Sequence, residues 1–315
     1  AALQAEHREC MKQLDAMLAL AESIRAQGRF TDVVHIGIGG SDLGPRLALQ
    51  ALQDHVRPGG PRIHFVANMD GHELAAALAA QGLKVGVMDA DIYGFSIPRM
   101  LGVDRVPTQL DGMIVPPVAH GVKVISIGMF VPDGQAVIWR GPMLHRALQQ
   151  FLADVFWGDL DVLLIDMPPG TGDVAISIAQ LLPNSEILVV TTPQVAAAEV
   201  AERAGSIASQ TNQKVIGVVE NMSFLPQPDG SRLEIFGAGG GESVSQRLTA
   251  QLGYSVPLLA QVPLDIALRE GGDRGEPVAV ASGPAAEELS ALAKQLSATN
   301  RGLAGRPLGV SPIQR

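Results

Sequence analysis

The sequence predicts an α/β fold: a doubly wound, mainly parallel sheet with helices on both faces, preceded by a small α/β segment. Three observations predict it. Short, wholly apolar runs alternate with helix-length stretches, as buried parallel strands and their crossover helices do. Four of those runs end in polar residues, which an open sheet of this kind presents along one edge. Of the 315 residues, 47% are hydrophobic but only 4% aromatic, so the layers must pack through Ala, Val, Leu and Gly.

The elements follow in order. An amphipathic helix is predicted over Leu3 to Gln27, then a strand at Asp32 to Ile36 that runs into a Gly-rich turn and a helix near Pro45 to Gln53. Pro58-Gly59-Gly60-Pro61 reads as a loop, Arg62 to Ala67 as a strand and Glu73 to Gln81 as an Ala-rich helix. The four apolar runs come next. Leu83 to Met88 ends in Asp89-Ala90-Asp91, and Val162 to Ile165 ends in Asp166-Met167-Pro168-Pro169-Gly170-Thr171-Gly172-Asp173. Ile187 to Val190 ends in Thr191-Thr192-Pro193-Gln194, and Val215 to Val219 in Glu220-Asn221-Met222-Ser223. Between them, Pro142 suits a first helical turn, and Leu144, Leu148, Phe151 and Leu152 form a stripe. That helix is expected on a dimer or partner face. Residues 299–315 have scattered Gly and Pro without period and are expected to be a disordered tail.

Composition excludes several function classes. The net charge of −9 argues against a nucleic-acid footprint, and no apolar run nears the ~20 residues of a membrane span. The single cysteine, Cys10, excludes an intrachain disulfide framework and suits a reducing cytoplasm. It also leaves the chain without a cysteine metal site, which needs several thiolates.

What the strand ends could do follows from their chemistry. A carboxylate at a buried strand end can hold a magnesium-bound water or orient an attacking water in phosphoryl transfer. Glycines let backbone amides come close to a phosphate. By residue type alone, the same Asp residues could instead cap helices, and Pro168-Pro169 could simply shape a loop.

Together these motifs resemble the Mrp family of iron–sulfur cluster carrier ATPases, relatives of MinD and ParA. The resemblance covers about 76–298 and runs on through Phe236-Gly237, Gly239-Gly240-Gly241 and Val262-Pro263-Leu264-Asp265. It implies Asp89 as the water-orienting acid and Asp166 as the magnesium-side acid, acting through water. It implies Gly170 and Gly172 at the γ-phosphate, and Asn221, Pro263 and Asp265 at the adenine. It further implies ATP with Mg, a 4Fe–4S cluster shared by a homodimer, and apoprotein recipients.

Two departures stand out. The family's lysine-bearing phosphate loop is replaced by Asn68-Met69-Asp70-Gly71-His72-Glu73, and no lysine occurs between Lys12 and Lys84. Asp70 and Glu73 are expected to face phosphate oxygens of like charge. The family's Cys-x-x-Cys is replaced by Phe224-Leu225-Pro226-Gln227-Pro228-Asp229-Gly230, so no iron–sulfur ligands are assigned. Phe95 stands where the family usually has proline.

The first segment differs in kind. Val33-Val34-His35-Ile36-Gly37-Ile38-Gly39-Gly40-Ser41-Asp42-Leu43-Gly44-Pro45, with Phe65-Val66-Ala67-Asn68-Met69-Asp70-Gly71, resembles an N-terminal fragment of phosphoglucose isomerase. That implies a phosphosugar-binding turn at Gly40 and Ser41. The glycines by themselves read as a tight strand-to-helix turn. The organisation expected is an isomerase-like segment at 1–74, a nucleotide-site domain at 75–298 and the tail. Three functions compete: ATP-dependent cluster carriage, an inactive binding or scaffold protein, and a phosphosugar-binding module.

Overall fold

The computed structural model describes residues 32–36, 62–66, 71–91, 95–130, 141–168, 173–194 and 197–299. Two compact units divide at Ala67/Asn68. In the smaller, strands β1 (Asp32–Ile36) and β2 (Arg62–Val66) pair in parallel, Val33 against Ile63 and His35 against Phe65.

The larger unit begins with helix α1 (Gly71–Ala80), whose alanines favour helix, and stops at Gly82, where a φ of +84° ends the turn at little steric cost. Strand β3 (Val85–Asp89) follows, then the single turn α2 (Ile97–Met100). A hairpin joins β4 (Thr108–Leu110) to β5 (Met113–Val115), and β6 (Val118–Ala119) turns back into β7 (Val122–Ser126). Helix α3 (Gly141–Ala153) leads to β8 (Val162–Asp166), α4 (Asp173–Leu181) and β9 (Glu186–Thr191). Helix α5 (Ala197–Thr211) and β10 (Lys214–Asn221) precede a small hairpin of β11 (Leu225–Pro226) and β12 (Arg232–Leu233). Helix α6 (Gly240–Leu252), β13 (Leu258–Val262), α7 (Ile266–Arg274) and α8 (Pro284–Thr299) complete the unit.

Two groups of parallel strands emerge: β7-β3-β8, with β6 antiparallel on its edge, and β9-β10-β13. Both faces are covered. On one, Leu74 and Leu78 of α1 and Leu289 and Leu292 of α8 pack with Val87, Val124, Val219 and Val262 from both groups. On the other, Leu144, Leu148 and Phe151 of α3 and Val174 and Ile178 of α4 pack with Met88 and Ile125. A third cluster joins Val189, Val215 and Val218 to Ala208, Val244 and Leu248. The doubly wound fold is therefore as expected.

The α3 stripe corrects one expectation. Leu144, Leu148 and Phe151 are buried against the sheet, so they serve this chain's own core and not a partner face. Periodicity shows that a helix has an apolar side but not what that side meets.

Candidate functional site

The carboxyl ends of the parallel strands form the site. In β7-β3-β8, the register sets Ser126 beside Asp89 and Asp89 beside Asp166. Each chain segment arrives as a buried apolar strand and turns polar at its last residue, so three oxygen-bearing side chains stand in a row.

Asp89 is fully buried. The amide of Asp91 donates to its Oδ1 at 3.2 Å and that of Ile97 to its Oδ2 at 3.3 Å, with Ser126 as a third partner. Loss of water outweighs these donors and pushes its pKa up to about 7, with Asp91 nearby adding repulsion. The carboxyl is thus poised to hold or release a proton near neutrality. Ser126 in turn accepts from the amide of Gly128 at 3.1 Å. Helix α1 begins alongside: a Cβ on Gly71 would lie 3.9 Å from the Asp166 carboxyl, which places the positive end of the helix near that acid.

The second group, β9-β10-β13, supplies a different edge. Thr191 pairs with Glu220, and Asn221 with Val262, immediately before Pro263. Asn221 is buried; its Oδ1 accepts from the amide of Met222 at 2.9 Å, while its Nδ2 has no protein partner. The buried hydroxyl of Thr191 also has none. A buried donor left unpaired is disfavoured by roughly 1–3 kcal/mol, which sets these two positions apart among the described residues.

Glu220 is the opposite case. Its Oε1 accepts from Ser223 Oγ at 2.6 Å and Gln261 Nε2 at 2.9 Å, and its Oε2 from the amide of Gly241 at 2.5 Å. This carboxylate fastens the first turn of α6 to the strand end. That turn also sits tightly on Thr192 and Pro193, where any side chain at Gly240 would collide.

Other expected site residues fall out as follows. Asp265 caps α7, its Oδ1 accepting from the amide of Ala267 at 2.8 Å. Gly170, Gly172, Gly40, Ser41 and Asp70 lie outside the described residues. Glu73 does not face a phosphate position: it is buried, and its carboxylate accepts from the amides of Val278 at 3.1 Å and Ala279 at 2.8 Å. From the third position of α1 its carboxylate reaches inward to the segment at 278–279. His72 beside it is also buried, with Nε2 3.3 Å from Glu73 Oε1 but without hydrogen-bond geometry.

Sequence reasoning missed Ser126, Glu220 and the strand β7. The signal was present in Val122-Lys123-Val124-Ile125-Ser126, an apolar run ending in a polar residue like the other four, but interrupted by a lysine. Lys123 bonds the carbonyl of Trp157 and lies 5.4 Å over the Phe156 ring, so its charge stays at the surface.

Oxygen donors are what a hard divalent cation such as magnesium takes, but among the described residues no group of three or more His, Cys, Asp or Glu side chains stands together as a metal site. A 4Fe–4S cluster is not served by these donors. The segment expected to hold cysteines in the family is instead a hairpin, with Leu225 against Leu233 and Arg232 4.1 Å over Phe224.

The sequence model for ParA-type NUBPL iron-transfer P-loop NTPases matches residues 70–297. The chain belongs to this family. A phosphoglucose isomerase model matches residues 4–88, overlapping the first across α1 and β3. An iron-sulfur cluster carrier protein of Mycobacterium leprae is 63% identical over 244 residues, covering 77% of this chain and 64% of the relative. One from Synechocystis is 44% identical over 233 residues, 71% of this chain and 64% of the relative. The chain thus spans a little under two thirds of their length. A nucleotide-binding protein from Archaeoglobus fulgidus, solved in complex with ADP, is 33% identical, with a TM-score of 0.56 over 68% of this chain and 83% of that one. MinD from Pyrococcus horikoshii, complexed with Mg-ADP, shares the fold at 22% identity and a TM-score of 0.50, over 74% and 90% of the two chains.

Proposed function

We propose that the chain works in iron–sulfur cluster assembly as a member of its family, carrying clusters to apoproteins in the cytoplasm as a homodimer. Its nucleotide site is one-sided. Asn221, with Thr191 and the stretch from Pro263 to Asp265, reads the base. Asp166 would hold a water on a bound magnesium ion, which would neutralise phosphate charge, Asp89 would orient the attacking water, and Gly170 and Gly172 would serve the γ-phosphate. The observation that carries this reading is the pairing of Asp89 with Asp166 on adjacent strands of the first group.

The phosphates lack the family's lysines, so ATP binds weakly and hydrolysis is impaired. Two lost charged hydrogen bonds amount to roughly 3–6 kcal/mol, or about two to four decades in affinity. Cluster carriage cannot run through the family's shared-cysteine mode, because two subunits bring two Cys10 thiolates where four are needed.

Isothermal titration of the intact chain with Mg-ATP tests the reading. Millimolar binding that weakens further in Asn221→Ala supports it. No binding at any accessible concentration favours an inactive scaffold, which the missing lysines also suit. Micromolar binding would show that another loop has replaced the cradle.

A further inference from the structure

The hairpin of β4 and β5 consists of an inner strand tied to the core and an outer strand turned to solvent. Its turn, Asp111-Gly112, has φ of +50° and +81°, the conformation that matches the twist of a two-residue hairpin. The amide of Ile114 in β5 donates to the carbonyl of Asp154, and the amide of Phe156 donates to that of Ile114, both at 2.8 Å. The Ile114 side chain packs on the cluster that holds Leu148 and Val155. β4 lies on the far side of β5, and Thr108, Gln109 and Leu110 are all exposed, as are Asp104, Arg105 and Val106 before them. Two large apolar side chains stand out there, Val106 at 70% and Leu110 at 65% exposed. A residue before proline favours extended backbone, so Val106-Pro107 continues the line of β4 and sets Val106 and Leu110 on one side of it. The segment that holds β5 precedes β8, and its Trp157 meets Gly86 and Lys123 near the starts of β3 and β7. The hairpin is therefore at the opposite end of the sheet from Asp89 and Asp166.

We propose that β4 is a contact surface for a second copy of this chain, pairing antiparallel with β4 of that copy about a two-fold axis at Thr108. Self-complementarity selects this occupant. In a two-residue hairpin Leu110 and Thr108 turn their backbone groups toward β5, so those of Gln109 face outward. Centred on Thr108, the pairing sets Gln109 of each copy opposite Pro107 of the other, where the proline carbonyl accepts from the Gln109 amide. It sets Val106 opposite Leu110, so each copy covers the exposed apolar side chains of the other. It also sets Arg105 opposite Asp111, twice. Arg105 is otherwise 4.0 Å from Asp104, with the two side chains 87% and 91% exposed, a contact worth little in water. Neighbouring registers lose this match. Centred on Gln109, Arg105 meets Met113 and Val106 meets Gly112, while centred on Pro107 two residues without N–H face each other. Because Pro107 returns no N–H to Gln109, the ladder is short of a full set of bonds and the association is reversible.

Disulfide mapping in the full chain tests the pairing and its register, with diamide as oxidant and Cys10→Ser to remove the single native thiol. Thr108→Cys sits on the axis in a pair without mutual hydrogen bonds, where the close Cα separation suits a disulfide. It is expected to form covalent dimers. Val106→Cys or Leu110→Cys alone is expected to crosslink roughly tenfold more slowly, since each is about 13 Å from its own copy across the axis. Mixed together, those two variants are expected to crosslink to each other. All three positions are exposed, so the substitutions spare the core. In the Thr108→Cys chain, Arg105→Asp sets acid against acid and is expected to slow dimer formation roughly fivefold. Equal rates at the three positions would mean random collision and overturn the proposal. So would the absence of crosslinking in Thr108→Cys, fastest self-crosslinking at position 106 or 110, or an unchanged rate in Arg105→Asp.

Discussion

Asp89 and Glu220 are both carboxylic acids buried at the ends of parallel strands, yet they are built for different work. Glu220 closes three short hydrogen bonds, one to the amide of Gly241 at the start of α6, and acts as a fastener. Asp89 has longer backbone bonds of 3.2 and 3.3 Å, and desolvation prevails, holding its carboxyl near a pKa of 7. The first group of strands therefore keeps an acid whose proton is labile. The second keeps a rigid frame with two unanswered polar atoms, Thr191 Oγ1 and Asn221 Nδ2. Burial alone does not mark a functional acid; the balance between desolvation and donated hydrogen bonds does.

The largest effect expected comes from restoring what the first group lacks. A variant in which residues 68–72 are replaced by Gly-Lys-Gly-Gly-Val-Gly-Lys-Ser is expected to gain roughly two to four decades in Mg-ATP affinity by titration, from two charged hydrogen bonds of about 1.5–3 kcal/mol each. Glu73 must be retained, because its carboxylate satisfies the buried amides of Val278 and Ala279. Unchanged affinity in a folded variant would show that the lysines were not the missing component. Adding Asp166→Asn should then remove hydrolysis while leaving binding.

Next is pH. Folded Asp89 keeps its proton up to about pH 7, whereas the unfolded side chain releases it near 3.8. Between those values the folded state binds more protons, so this group subtracts stability as pH rises through the window, by at most about 4 kcal/mol. Denaturant midpoints of wild type and Asp89→Asn should therefore diverge from pH 4 to pH 7, with the variant gaining relative stability at the upper end. Parallel curves would show that burial does not hold the Asp89 proton across this window.

For Glu220→Ala the expectation is a loss of about 3 kcal/mol in denaturant unfolding at any pH from 6 to 8, because the amide of Gly241 and two side-chain donors lose their acceptor. A loss below 1 kcal/mol would mean that water replaces the carboxylate. Thr191→Val is the smallest change. Removing a buried hydroxyl without a partner should stabilise the chain by roughly 1 kcal/mol or leave it unchanged. If the hydroxyl contacts bound nucleotide, Mg-ATP affinity falls in the same variant.

Much of this was legible in the chain itself. The runs ending at Asp89, Asp166, Thr191 and Asn221 became β3, β8, β9 and β10, because an apolar run of four to eight residues between helical stretches has few other homes in a doubly wound sheet. Residue type and position marked Asp89 and Asp166 as candidates, and the chain's family could be read from motifs spread over most of its length. Three matters were decided only by tertiary packing. Glu73 became an internal acceptor for residues 278–279, more than 200 positions away, a contact no local pattern encodes. Ser126 joined Asp89 because β7 and β3 lie in one register, which depends on strand order. The stripe of α3 met the core because the sheet face above Met88 and Ile125 needed a cover. Periodicity and residue chemistry are local and survive in sequence. That Asp89 keeps its proton depends on how far the finished fold desolvates it against the donors it brings, and that is settled only when distant segments pack together.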